Sequence, residues 1–340
     1  MERGRREVKR LKKRLLLTSI IGFLLIALLP AFNIGCQPKK TLQNATLILD
    51  WTPNTNHTGI YVARDKGWYK DQGIDLEIIE PAEGALPVQV VAAGQADFGI
   101  SYEEEVTHSR SVDVPVVSIA AIIQHNTSGF ASPKEKNITR PKDFEGKKYG
   151  SFGSPTEHEV LSVLMAADGA DVNMVEFVDV GSADFFVVTQ KDVDFAWIFY
   201  GWTGLEADIR GMPLNIVMLN QWFDYLPDYY TPVIITSEKE IKEKPDLIRR
   251  FMKATSMGYE YAISNPQEAA EILIKNVPEI NTELVRKSQQ WLAKEYKSDA
   301  PRWGEQKLEV WQNYPSWMSE RDLLPKTIDA EKAFTNEFLP

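Results

Sequence analysis

The sequence predicts an α/β protein built as two lobes, and three observations lead there. From residue 46 onward, short runs rich in Val, Ile and Leu alternate with stretches of helical periodicity, as expected of strands joined by helices. The pattern breaks off after a long apolar run, residues 112–124, and starts afresh at about Phe144. From Glu238 to the end only helical patterns remain, and 340 residues suffice for two hydrophobic cores.

The chain begins as an export segment. Residues 1–14 carry eight Lys or Arg, and residues 15–29 form an uncharged apolar run. That run matches a secretory core and is shorter than the ~20 residues that span a bilayer comfortably. Cys36, the only cysteine, follows Gly35 and resembles the lipoprotein signal, in which the cysteine becomes the lipid-modified first residue. Asn33 stands where that pattern usually has Leu, so an uncleaved anchor is the alternative. Without a second cysteine there is no internal disulfide. Removal of residues 1–35 takes away eight basic and two acidic residues and moves the formal charge from -10 to -16. So acidic a body is a poor partner for nucleic acid. The expected organisation is an export signal over 1–35, a tether over 36–45, one lobe from 46–125 with 230–340, and the other over 126–229.

Residues 50–79, DWTPNTNHTGIYVARDKGWYKDQGIDLEII, make the first βαβ unit. A strand ends at Asp50 and Trp51, Asn54 is placed to cap a helix over 55–66, Gly67 to end it, and Ile74, Leu76 and Ile78 to form the next strand. Ligands of open α/β sheets sit beyond the carboxyl ends of parallel strands, where Trp51, Asn54, Asn56 and His57 would lie. The plain alternative makes Trp51 a core ring, Asn54 only a cap and His57 a surface residue.

A short helix then ends at Gly94, and residues 97–100 form a strand whose end presents Tyr102. Glu103, Glu104 and Glu105 open a helix, where carboxylates suit the positive end of its dipole. Residues 112–124 read as a strand buried on both faces. In the second lobe, residues 149–152 form a strand and 156–167 a helix, with Ser154 or Thr156 as cap and backbone amides available to a ligand. Further strands follow over 175–178 and 194–200, with a helix over 182–190 between them. The last of these strands opens onto a Gly-rich turn, where Trp197, Tyr200 and Trp202 crowd together and Glu206 lies just beyond. Core packing is the plain alternative for Trp197. Residues 214–219 form a strand, 221–230 an aromatic loop, and 233–236 a strand returning to the first lobe. The helical tail carries packing rather than chemistry.

Several chemistries find no footing. Neither GxGxxG nor GxxxxGK[ST] nor GxSxG occurs, and the four histidines stand singly outside any metal-ligand spacing. No cofactor or metal is expected, and binding is favoured over catalysis.

The stretch LDWTPNTNHTGIYVARDKGWYKDQGIDLEI, with AAGQADFGISYEEE and FAWIFYGWTGLEA, resembles solute-binding proteins of ABC importers for thiamine-pyrimidine precursors, over residues 46–335. DWxPNxxHxG is the most specific part; the Gly-Trp-Tyr and Ala-Asp-Phe-Gly elements are shared with sulfonate and nitrate binders. The resemblance implies a two-lobed periplasmic-binding-protein type II fold with the ligand between the lobes. It also implies a monomer, lipid-anchored on the extracytoplasmic face, that delivers a formylated aminopyrimidine to an ABC permease and its ATPase for thiamine salvage. The same superfamily contains an enzyme that makes the thiamine pyrimidine from its own histidine and bound pyridoxal phosphate at a cysteine-rich iron site. Here residues 197–202 stand where that cluster would be, and Lys66 does not clearly match the cofactor lysine, although His57 lies close to the sacrificial histidine.

A flat, nitrogen-rich heterocycle would stack on Trp51, Tyr102 and the aromatics of 197–202, with Asn54 and Glu206 as in-plane partners. Glu103, Ser154 and His57 complete the candidate set. Riboflavin or another flat heterocycle is the nearest rival. Sulfonate or nitrate would call for a basic cleft or a crown of helix N-termini.

Overall fold

The computed structural model describes residues 41–340 apart from 83, 84, 155 and 182, so the export signal and Cys36 lie outside the described residues. Ten strands follow one another there: β1 (Gln43–Ile48), β2 (Ile74–Ile79), β3 (Phe98–Ser101), β4 (Val116–Ala121), β5 (Ser128–Pro133), β6 (Lys148–Ser151), β7 (Glu176–Asp179), β8 (Phe195–Phe199), β9 (Leu214–Met218) and β10 (Val233–Ser237). They form two five-stranded sheets, ordered β2-β1-β3-β10-β4 and β7-β6-β8-β5-β9. Within each sheet one strand runs against its neighbours: β10 lies antiparallel between β3 and β4, and β5 between β8 and β9. The chain therefore leaves the first sheet after β4 and rejoins it at β10. This is the two-lobed α/β fold the sequence predicts.

Every residue of β4 is buried, as its continuous apolar run requires of a strand covered on both faces. On one face of that sheet the helices Thr58–Asp65 and Pro245–Ser264 cross closely, and the ring of Tyr259 lies against Gly59. The second core gathers Phe130, Phe144, Tyr149 and Phe195 beneath the helix Thr156–Ala167, whose Val160, Leu161, Leu164 and Met165 are buried as its periodicity demands. Among the described residues no helix is long and apolar enough to cross a membrane.

Three elements differ from expectation. The strand β5, SGFASP, carries no alternation of polar and apolar residues, yet it sits inside the second sheet. Small residues suit it because a Cβ at Gly129 would meet the carbonyl oxygen of Val217 at 2.5 Å. The expected Gly-rich turn after β8 is instead a wide π-helical turn, Tyr200–Gly204, running straight into the helix Leu205–Arg210. Finally, the tail helix Leu308–Ser319, which contains Pro315, does not keep to one core. Its Trp311 packs in a core cluster of the first sheet while Tyr314, Trp317 and Met318 pack in that of the second, so residues 230–340 do not all serve one lobe.

Candidate functional site

Beyond the end of β1, the Leu49 amide donates to the carbonyl of Ile79 at 2.9 Å, and the chain then carries Asp50 and Trp51 past the carboxyl edge of the sheet. Asn54 closes this loop. Its Oδ1 accepts from the Asn56 amide at 2.9 Å and its Nδ2 donates to the Thr52 carbonyl at 3.0 Å, capping a 3-10 turn that leads into the helix Thr58–Asp65.

His57 is fully buried rather than at the surface. Its Nδ1 accepts from the Asn54 amide at 3.2 Å, so Nε2 carries the proton and donates to Asp50 Oδ1 at 2.7 Å. From the other side Tyr102 donates its hydroxyl to Asp50 Oδ2 at 2.7 Å. Burial alone would raise the Asp50 carboxyl, but His57 and Tyr102 hold it below its ordinary value. Burial and the same carboxylate push the Tyr102 phenol well up, so it remains a donor.

These groups form one wall of a cavity of about 230 Å³. The wall comprises Asp50, Trp51, Asn54, Asn56 and Tyr102; facing it are Trp197, Ile198, Phe199, Trp202 and Thr203 from β8 and the π turn, with Thr231 and Pro232 from the return crossing. No Lys or Arg is among these lining residues. The site thus offers aromatic faces, one ionised carboxylate and no cation.

Of the residues the sequence singled out, Trp51, Asn54, Tyr102, Trp197 and Trp202 are brought together around the cavity. Trp51 is 49% exposed, far from a core ring. Trp197 packs edge-on against Phe130 at 5.0 Å as well, so it serves core and cavity alike. The other five lie off the cavity. His57 stands behind Asp50, and Tyr200 leans on Trp291 at 5.2 Å. Glu103 is buried, which raises its carboxyl, and accepts the Tyr230 amide at 2.8 Å. Glu206 pairs with Arg210, four residues on in the same helix, at 2.6 Å. The Ser154 hydroxyl meets that of Thr156 at 2.8 Å, and its amide is not available to a ligand: it donates to Glu157 Oε1 at 2.7 Å.

Asn56 and Phe199, which the sequence places at the same strand ends, also line the cavity, whereas sequence reasoning passed over Asp50 and Thr203, although Asp50 obeys the same strand-end rule as Trp51. Nothing local marked Thr231 and Pro232, which reach the cavity only because β10 returns beside β3. The tail does more than cover the lobes. From the helix Thr282–Glu295, Ser288 stands 2.5 Å from the Thr55 hydroxyl and donates to the Gly201 carbonyl, which ties the Asn54 loop to the π turn.

The fold is that of the solute-binding proteins. The periplasmic aliphatic sulphonate binding protein of Escherichia coli superposes with a TM-score of 0.64 at 12% identity, over 85% of this chain and 91% of that one. The chain belongs to the NMT1/THI5-like family, whose model matches residues 54–269. It is 29% identical to the formylaminopyrimidine-binding protein of Halalkalibacterium halodurans over 93% of this chain and 98% of that protein. It is also 23% identical to the 4-amino-5-hydroxymethyl-2-methylpyrimidine phosphate synthase of Legionella pneumophila, over 87% of this chain and 92% of that protein.

Proposed function

We propose that the chain is an extracytoplasmic solute-binding protein, anchored through Cys36, that captures a formylated aminopyrimidine and hands it to an ABC permease for thiamine salvage. The observation that carries this reading is the cavity wall, where the ionised Asp50 lies among Trp51, Tyr102, Trp197 and Trp202 with no cation in reach. An aminopyrimidine offers flat faces for the rings and an exocyclic amine for the carboxylate. The similarity to a formylaminopyrimidine-binding protein supports the same ligand.

Glu206 is a second reader in this proposal. It stands four residues beyond Trp202 on a continuous helical segment, and its Arg210 partner is 41% exposed. An exposed pair of that kind is worth less than ~1 kcal/mol, so exchanging it for ligand costs little.

Binding without turnover is supported by the use made of His57. Both ring nitrogens are engaged in holding the Asn54 loop and Asp50, and the chain's only cysteine lies in the export segment. Titration calorimetry of the mature protein with the formylated aminopyrimidine and with riboflavin tests the ligand; tighter binding of riboflavin overturns the assignment. Incubation with iron and pyridoxal phosphate should leave the peptide containing His57 at its unmodified mass. Loss of the imidazole would make the chain a synthase.

A further inference from the structure

On the second-lobe side of the cleft, the loop after β6 and the start of the helix Thr156–Ala167 turn three successive backbone amides, those of Phe152, Gly153 and Ser154, towards one point. Such a cradle is a ready site for a sulfonate, phosphate or carboxylate. In this chain it is filled from within. Glu157, 1% exposed, accepts from the Phe152 amide at 3.1 Å, the Gly153 amide at 2.9 Å and the Ser154 amide at 2.7 Å. The Tyr149 hydroxyl at 2.5 Å and the Ser151 hydroxyl at 3.1 Å complete the shell.

The filled cradle adjoins the cavity. Phe152, which gives one of the amides, packs edge-on against the cavity-lining Trp197 at 6.0 Å. From the first lobe, the carboxyl of Glu104 feels both Glu105 and Glu157, and that of Glu105 feels Asp50. Burial and those two neighbours push the Glu104 carboxyl up to about 7.

We propose that Glu157 is a specificity-determining residue, a built-in anion that occupies the amide cradle and so restricts the cleft to ligands without a negatively charged group. This rests on the reading of the cleft as a ligand site and deepens it, since it separates a neutral aminopyrimidine from the phosphate ester of the same ring. A bound anion would have to displace a carboxylate with five donors in a cleft whose facing wall carries the ionised Asp50.

The test compares 4-amino-5-hydroxymethyl-2-methylpyrimidine with its phosphate, and adds butanesulfonate as a ring-free anion, by calorimetry on the wild-type mature protein, Glu157→Gln and Glu157→Ala. The wild type should prefer the neutral ring over its phosphate by about 100-fold and show no butanesulfonate binding, which is the discrimination expected when polar groups are left unmatched. Both variants should narrow the ring preference by about tenfold or more and gain butanesulfonate binding. Glu157→Gln keeps an acceptor for the amides, and circular dichroism identifies the folded variants. Wild-type binding of the phosphate equal to that of the neutral ring overturns the proposal. So does a folded Glu157→Gln or Glu157→Ala that gains no affinity for either anion. If neither form of the ring nor the formylated aminopyrimidine binds the wild type, the pyrimidine reading fails, while the butanesulfonate arm still decides the role of Glu157.

Discussion

An aminopyrimidine places an amine donor beside a ring nitrogen, and in the proposed site Asp50 would meet it with acceptor capacity left over, because each of its oxygens is shown taking one donor and can take a second. In Asp50→Asn the new NH2 would face the His57 N–H or the Tyr102 O–H, donor against donor, and the ligand amine would lose a charged acceptor. Aminopyrimidine affinity should fall about tenfold or more in calorimetry, equivalent to ~1.4 kcal/mol or above. Undiminished affinity would place the ligand elsewhere. If Trp51, which lines the same cavity, is a stacking wall, ligand should quench tryptophan fluorescence and Trp51→Ala should lose about 1 to 3 kcal/mol of binding. Glu206→Gln should lose about tenfold in affinity at nearly constant melting temperature, since its partner lies in its own helix. Normal binding with early melting would leave Glu206 a helix-surface residue.

At the scale of elements, the Asn54 loop depends on a helix crossing whose own residues are outside the cavity lining. A Cβ on Gly258 would lie 1.9 Å from the Gly59 carbonyl oxygen, and the next residue, Tyr259, donates its hydroxyl to the Asn56 carbonyl at 2.7 Å. Gly258→Ala should therefore push the helices Thr58–Asp65 and Pro245–Ser264 apart, costing about 1 to 3 kcal/mol in denaturant unfolding. It should also weaken ligand binding, because the loop moves with the helix; a variant that melts normally would show that the crossing yields freely. This dependence also shows where sequence reading reached and where it stopped. Helix Thr156–Ala167 was legible to the residue, because its four apolar positions repeat at helical spacing and a cap precedes them. Strand β5 was not, because its composition answers the closeness of β9 rather than any local preference. The cavity was half legible for a similar reason. Strand-end position pointed to Trp51, Tyr102 and Trp202, whereas the engagement of His57, Glu103 and the Ser154 amide is set by partners that only the folded chain brings near.

The whole molecule joins its lobes through the segment after β4, the return to β10 and the tail helix Leu308–Ser319. We propose a hinge near Gln124 and Thr231, so solution scattering should show a smaller radius of gyration with saturating ligand, and an unchanged value would count against closure. One histidine ties these segments together. His125 gives Nδ1 to Asp228 at 2.6 Å and Nε2 to Asp299 at 3.0 Å, which makes both nitrogens donors and the ring an imidazolium. Asp228 lies in the return crossing, where its other oxygen takes the amides of Asn126 and Tyr229, each at 2.9 Å, and Asp299 lies in the tail, where Lys307 also reaches it at 3.1 Å. The hydrogen bond and charge of Asp228 raise His125 above its ordinary value, with Asp299 adding to the effect; nearby, burial raises the Glu295 carboxyl while His125 draws it down. A group whose folded value is raised stabilises the fold fully below its unfolded value, about 6.5 for His, and loses that stabilisation as pH climbs through the higher folded value. The melting temperature should therefore fall on going from about pH 6 into the alkaline range, and His125→Gln should flatten that slope. A slope identical in wild type and His125→Gln would show that the imidazolium does not hold the crossings together.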